Sequence, residues 1–221
     1  MRKIAALALC LTLAPLALAQ LNEGFDDITT LPGAGWFETN LSSPVGTIGY
    51  FQGNPDVFGA YEGAGYLGVN YNSGADVATL SNWMMTPELT LDNGATVSFF
   101  TRTSEASSWP DRLEIRMSTN GASTNVGSSA TSVGDFTNLL LSVNPNLTVG
   151  GYPEAWTQYT ATISGLSAPT QGRLAFRYYV TSGGPNGSNS NYVGIDSFSY
   201  VVPEPASLAL LALGALSLRR R

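Results

Sequence analysis

At 221 residues the chain is long enough for one all-β domain with processing segments, and too short for a large multidomain enzyme. It has no histidine and one cysteine, Cys10, which excludes histidine-based catalysis, disulfides, thiolate chemistry and Cys/His zinc sites from its body. Residues 20–202 hold five arginines, no lysine and fifteen acids, and this net charge of −10 repels nucleic-acid phosphates and anionic lipid headgroups.

The first predicted element is a signal helix over residues 1–19. Arg2 and Lys3 give a basic start, and Ile4 to Leu18 is almost wholly apolar. Ala17-Leu18-Ala19 then places small residues at a cleavage point before Gln20. Cys10 is no lipid acceptor, because Leu9 precedes it where a small residue is needed.

Beyond Gln20 the dominant period is two. Gly65 to Tyr71 and Ala78 to Met85 supply strands in the first half, and Thr96 to Phe100 begins with polar/apolar alternation. Arg112 to Ser118 reads as a half-buried strand with Leu113, Ile115 and Met117 inward. Asn120 to Gly134 is a low-complexity stretch expected to be an exposed loop. Asp135 to Ser142 is the one segment predicted helical, with Phe136, Leu139 and Leu140 on one face. Gln158 to Ile163, Leu174 to Val180 and Tyr192 to Val201 are further strands. Gly183 to Asn191 is a second loop, with few apolar groups to order it. Breakers such as Asn93-Gly94, Asn120-Gly121 and Gly150-Gly151 separate the series. Many short strands without crossover helices predict an all-β fold, an antiparallel β-sandwich of jelly-roll type, as one domain over 20–201.

The last predicted element is a short apolar helix. Val202-Pro203-Glu204-Pro205 is followed by the run Ala206 to Leu218 and by Arg219, Arg220 and Arg221. Thirteen helical residues at ~1.5 Å each reach only ~20 Å, against a hydrocarbon core of ~30 Å. The terminal arginines favour a cytoplasmic end, so the segment suits a transient membrane stop.

These residues resemble the PEP-CTERM sorting signal of Gram-negative bacteria over 202–221. The resemblance implies an exosortase as a transient partner, a membrane-held precursor, and export to the cell surface or an extracellular polysaccharide matrix of the biofilm kind. A second resemblance lies in the body. Glu23-Gly24-Phe25, Pro32, Gly35-Trp36, the segment Asn82 to Leu89 around Trp83 and Thr86-Pro87, and Gly194-Ile195-Asp196 are similar to motifs of choice-of-anchor J domains. Those are related to cleaved-adhesin and MAM-like jelly rolls. The departure is Ser197, where that family often has a second acid. This resemblance implies a structural calcium held by Glu23 on the first strand and Asp196 on the last, since calcium takes six to eight oxygen ligands.

Aromatic residues offer a different chemistry. Trp36 and Trp83 read as packing residues, whereas Tyr61 and Trp109 have the polar, turn-forming neighbours of exposed platforms on which a sugar could stack. Asp111 and Glu114 are a weak acid pair, because Arg112 and Arg116 alternate with them and surface ion pairing explains the pattern. No nucleophile with a base is present in the body. The expected function is that of an exported, non-catalytic structural or adhesive component of the envelope or its polysaccharide. A carbohydrate-binding module is the alternative, and a glycoside hydrolase a more distant one.

Overall fold

The computed structural model describes residues 20–203. The predicted signal helix and the apolar run 206–218 lie outside them, as do Glu204, Pro205 and Arg219 to Arg221 of the sorting signal. In chain order the strands are β1 (Gln20–Glu23), β2 (Phe37–Asn40), β3 (Ser43–Val45), β4 (Phe51–Gln52), β5 (Leu67–Asn70), β6 (Gly74–Met85) and β7 (Leu89–Leu91). There follow β8 (Thr96–Thr103), β9 (Leu113–Ser118), β10 (Asn138–Val143), β11 (Thr157–Thr162), β12 (Thr170–Gly183) and β13 (Tyr192–Val201). Single turns of 3-10 helix at Ile28–Thr30 and Tyr71–Ser73 are the helical content of the described residues.

The strands form two antiparallel sheets. One has the order β11-β8-β13-β5-β4, with β1 beside the second half of β13. The other has the order β10-β9-β12-β6-β2, with β3 on β6 and β7 on β12. This is the all-β antiparallel sandwich the alternation predicts. Leu113, Ile115 and Met117 of β9 point inward as expected, packed with Leu174, Phe176 and Tyr178 of β12 and with Val97 and Phe99 of β8. Trp36 is in the same core, wedged edge-on between Phe25 and Phe198 with ring centroids 5.5 and 5.7 Å away.

One bulge sets the face of the central strand. Val193 and Ile195 point into the core, and strict alternation would send Phe198 and Tyr200 outward. At Ser197 (φ 48°) the register against β8 shifts, and both aromatics are buried inside. The Asp196 carboxylate accepts the Ser197 N–H at 2.6 Å and holds that turn.

Three sequence expectations need correction or amendment. Asp135 to Ser142 is not helical: β10 covers most of it, paired to β9 with an irregularity at Leu139–Leu141. The unpaired edge of β9 takes the Leu-rich run as a strand, and Phe136 packs separately against Trp83. The stretch Asn120 to Gly134 is the exposed loop expected, amended in that it also serves as a cover. It buries Val126 and Ala130 over the outer face of the larger sheet, where Trp83, Met85, Phe136 and Ala175 form a second apolar cluster. Thirdly, the Asp111–Glu114 acids do not form surface pairs. Asp111 is fully buried, and Glu114, 5% exposed, pairs with Arg116 at 2.6 Å and Arg177 at 3.3 Å. The alternation of acid and arginine reads as a surface pattern, and it carries no trace of the cover over Glu114.

Candidate functional site

Three loops meet at the end of the sandwich where β13 begins. Tyr71 opens the turn after β5, Trp109 lies in the β8–β9 connection, and residues 184–191 join β12 to β13. Together they line an open groove of about 480 Å³, with Tyr71, Trp109, Pro185, Ser190 and Asn191 on its walls. Trp109 is 51% exposed and Tyr71 37%.

Asn191 ties the three loops together. Its carbonyl accepts from the Tyr71 N–H at 3.0 Å, and its Nδ2 donates to Ser107 Oγ at 2.9 Å. Ser107 Oγ in turn donates to the Trp109 carbonyl at 2.9 Å. The Asn191 N–H donates to Asp111 Oδ1 at 2.8 Å. The loop expected to lack order is thus held by polar bonds in place of apolar ones. The Ser190 N–H reaches the Pro110 carbonyl, and Asn186 Nδ2 donates to the Asp76 side chain. Gly184 (φ 92°) sits where a Cβ would meet the Asp76 carbonyl oxygen at 2.2 Å, so only glycine fits this wall.

Under the groove lies Asp111. Besides Asn191 it accepts from the Tyr178 hydroxyl at 2.6 Å and the Thr103 hydroxyl at 2.8 Å. Burial pushes its carboxyl above the usual range, partly offset by the Asn191, Tyr178 and Thr103 bonds. It faces no cation in those contacts, and its acceptor positions are spent on holding the loops.

Tyr61, the other aromatic candidate, belongs to a different surface. It is 45% exposed and stacks on Phe100 with ring centroids 3.6 Å apart, on the outer face of the smaller sheet. Phe58, Tyr66, Trp156 and Tyr192 cluster beneath the same loop. Phe58 and Trp156 approach Gly194 so closely that a Cβ there would lie within 2.8 Å of both rings. Trp109 and Tyr61 are therefore not two parts of one site.

Glu23 and Asp196 are brought near each other, since β1 pairs with β13 and Glu23 lies opposite Phe198. Glu23, Glu62 and Ser197 line a cavity of about 240 Å³. The carboxylate chemistry there is that of a loop clamp. Asp196 Oδ2 accepts the Tyr61 and Glu62 N–H groups at 2.8 and 3.2 Å, Oδ1 accepts Ser197, and Glu23 Oε1 accepts the Phe25 N–H at 2.9 Å. Desolvation raises the Asp196 pKa, and these N–H donors work against the rise. A calcium cage needs oxygens converging on the ion. Here N–H donors converge on both carboxylates and take up acceptor positions that an ion would use. Among the described residues no three His, Cys, Asp or Glu side chains gather to hold a metal. EDTA and added calcium are each expected to leave the melting temperature unchanged. Asp196→Ala should lower it by roughly 4–8 °C, from ~2 kcal/mol of charge-assisted bonding at ~2–4 °C per kcal/mol. A fall with EDTA that calcium reverses would establish the metal.

An all-antiparallel two-sheet sandwich with its loops gathered into a groove at one pole is the class these observations define. Residues 201–221 match the family described as the PEP-CTERM protein-sorting motif. The body is similar in structure to the K1 cleaved adhesin domain of Lys-gingipain from Porphyromonas gingivalis W83. The two are 21% identical, with a TM-score of 0.56 over 84% of this chain and 99% of that one. The K2 domain of the same gingipain gives 18% identity and a TM-score of 0.57 over 83% and 100% of the two chains. For K3 the values are 18% and 0.52, over 84% and 100%. At these identities the likeness is one of fold. Comparison with curated proteins gave no match.

Of the sites expected from sequence, Trp109 lines a groove, Tyr61 lies on a separate aromatic face, and Glu23 and Asp196 anchor backbone. Sequence reasoning missed Asn191 and the role of Asp111. Asn191 sits in a Gly/Ser/Asn-rich run that reads as a loop with few apolar groups, and its function depends on contacts with Ser107 and Tyr71, far away in the chain.

Proposed function

We propose that this chain is an exported, exosortase-sorted surface protein whose body is a non-catalytic adhesive domain for extracellular polysaccharide. The observation that carries this reading is the open groove with Trp109 half exposed and its walls fixed through Asn191. Aromatic faces stack on sugar C–H groups, and the amides and hydroxyls beside them bond sugar hydroxyls. The sorting motif over 201–221 supports export. A hydrolytic role finds less support. Glu114 is tied to two arginines and Asp111 to three donors, so neither carboxylate is placed to serve as acid or base.

The placement of the groove fits a surface role. It adjoins Asn191 at the start of β13, and the sorting motif begins where β13 ends. Ten strand residues at ~3.3 Å each put the two about 30 Å apart, so an anchored end would leave the groove facing outward. Trp109→Ala is expected to weaken retention on polysaccharide secreted by the producing cells at least tenfold, with the melting temperature unchanged because Trp109 packs no core. Equal retention of wild type and variant in a cosedimentation assay would count against the reading.

A further inference from the structure

We infer that the Tyr71–Trp109 groove selects an uncharged polysaccharide and turns acidic ones away. This deepens the adhesive reading and rests on it. For a body of net charge −10, holding a polyanion calls for a groove cation to offset the repulsion, and the arginines are the full set of side-chain cations over 20–203, because the body has neither lysine nor histidine.

Each arginine is committed elsewhere. Arg177 is 1% exposed, bonded to Glu114 and Ser81, and packed between the Trp83 and Tyr179 rings at 4.8 and 3.8 Å. Arg116 pairs with Glu114 and donates to the Phe136 carbonyl. Arg112 donates to the carbonyls of Tyr179 and Pro145 and lies over the Tyr179 ring. Arg173 donates to the carbonyls of Ala122, Gly35 and Thr86. Arg102 lies over the Phe58 ring at 4.4 Å and reaches Glu105 at 3.6 Å. None of them lines the groove.

What the groove does offer suits neutral hydroxyls. Asn191 spends its Nδ2 on Ser107, while its Oδ1 has no hydrogen-bond partner among the described residues and can accept from a sugar O–H. Trp109 and Tyr71 supply the stacking faces. A uronic-acid chain would bring like charge to a body of net charge −10, with no groove cation to offset the repulsion.

The test uses the full chain in mild detergent and native affinity electrophoresis at low salt. Galactomannan and hydroxyethyl cellulose serve as neutral probes, polygalacturonate and alginate as acidic ones. At least one neutral probe is expected to retard the protein, and Trp109→Ala to reduce that retardation at least tenfold. Neither acidic probe should retard it. Ser188→Lys, which adds a cation to an exposed position of the loop, should admit polygalacturonate. Trp109-dependent retardation by acidic probes as strong as by neutral ones would overturn the selectivity while leaving polysaccharide adhesion standing. If no probe of either kind is held through Trp109, adhesion through this groove is overturned with it.

Discussion

Replacing Arg177 with methionine is expected to lower the melting temperature by roughly 6–12 °C. The side chain is buried beneath residues 120–136 and joins both sides of that cover. It donates to Glu114 and Ser81 on the sheet, and to the Ala130 and Ser132 carbonyls in the loop above. Burial lowers its pKa to about 10, opposed chiefly by Glu114, so it stays charged at neutral pH. Removing one member of a buried pair costs ~3–5 kcal/mol, because the other charge loses its partner. Glu114 keeps Arg116, which puts the cost at the low end, ~3 kcal/mol, and at ~2–4 °C per kcal/mol the shift follows. Arg177→Lys keeps the charge but not the planar fork between two rings, and should recover only part of the loss. Calorimetry and limited proteolysis within 120–135 are the measurements. A methionine variant that melts within 2 °C of wild type, with the loop still protected, would show that the guanidinium is not what fastens the cover.

Asp111→Ala should be comparably damaging and should disable the groove as well. Thr103 keeps the Tyr192 carbonyl as an alternative acceptor, but the Tyr178 hydroxyl and the Asn191 N–H lose Asp111. Two stranded donors, the Tyr178 hydroxyl buried and the Asn191 N–H part-buried, at ~1–3 kcal/mol each imply a fall on the order of 10 °C. Asn191 loosens with them, so polysaccharide retention should drop even at temperatures where the variant is folded. Asp111→Asn keeps one acceptor oxygen and no charge, and separates packing from titration. In the wild type the folded-state pKa of Asp111 is raised, so the native state binds its proton first. Stability from this group therefore falls as pH rises from the ordinary value of 3.8 through the raised one, and is level above it. Asp27 and Asp135 run the other way. Their pKa values are lowered by hydrogen bonds, first from Thr29 and Ser123 respectively, so their contribution is lost as pH falls. Subtracting the asparagine variant's curve from the wild type's isolates Asp111. A difference that rises with pH through that window, or none at all, would contradict the sign.

The alternation of β9 made its inward face readable, because Leu113, Ile115 and Met117 meet a core on one side only. Trp83 was legible as a packing residue, but not the reason it packs outward, since its partners Val126 and Phe136 arrive from a stretch whose Gly/Ser/Thr composition hides them. The Leu139–Leu141 run was misread as helix because its period is ambiguous and its strand state is imposed by the free edge of β9. Trp109 stood out by its neighbours. Tyr71 and Asn191 did not, because they become wall and hinge only when the β5, β8–β9 and β12–β13 ends converge. Asp111 looked like part of a surface charge pattern. A short sequence window cannot register that Pro110, Tyr178 and Asn191 close over it.

The pairing of β1 with the second half of β13 has a consequence for the order of assembly. The opening residues of the body have no partner until its closing ones exist, with Gln20 set against Val201. β13 also separates β5 from β8, so the smaller sheet has no middle before that last strand is in place. Closing a loop of nearly the whole body is slow, whatever its final stability. The larger sheet contains neither strand, so it can form first and leave the smaller one to close on it last.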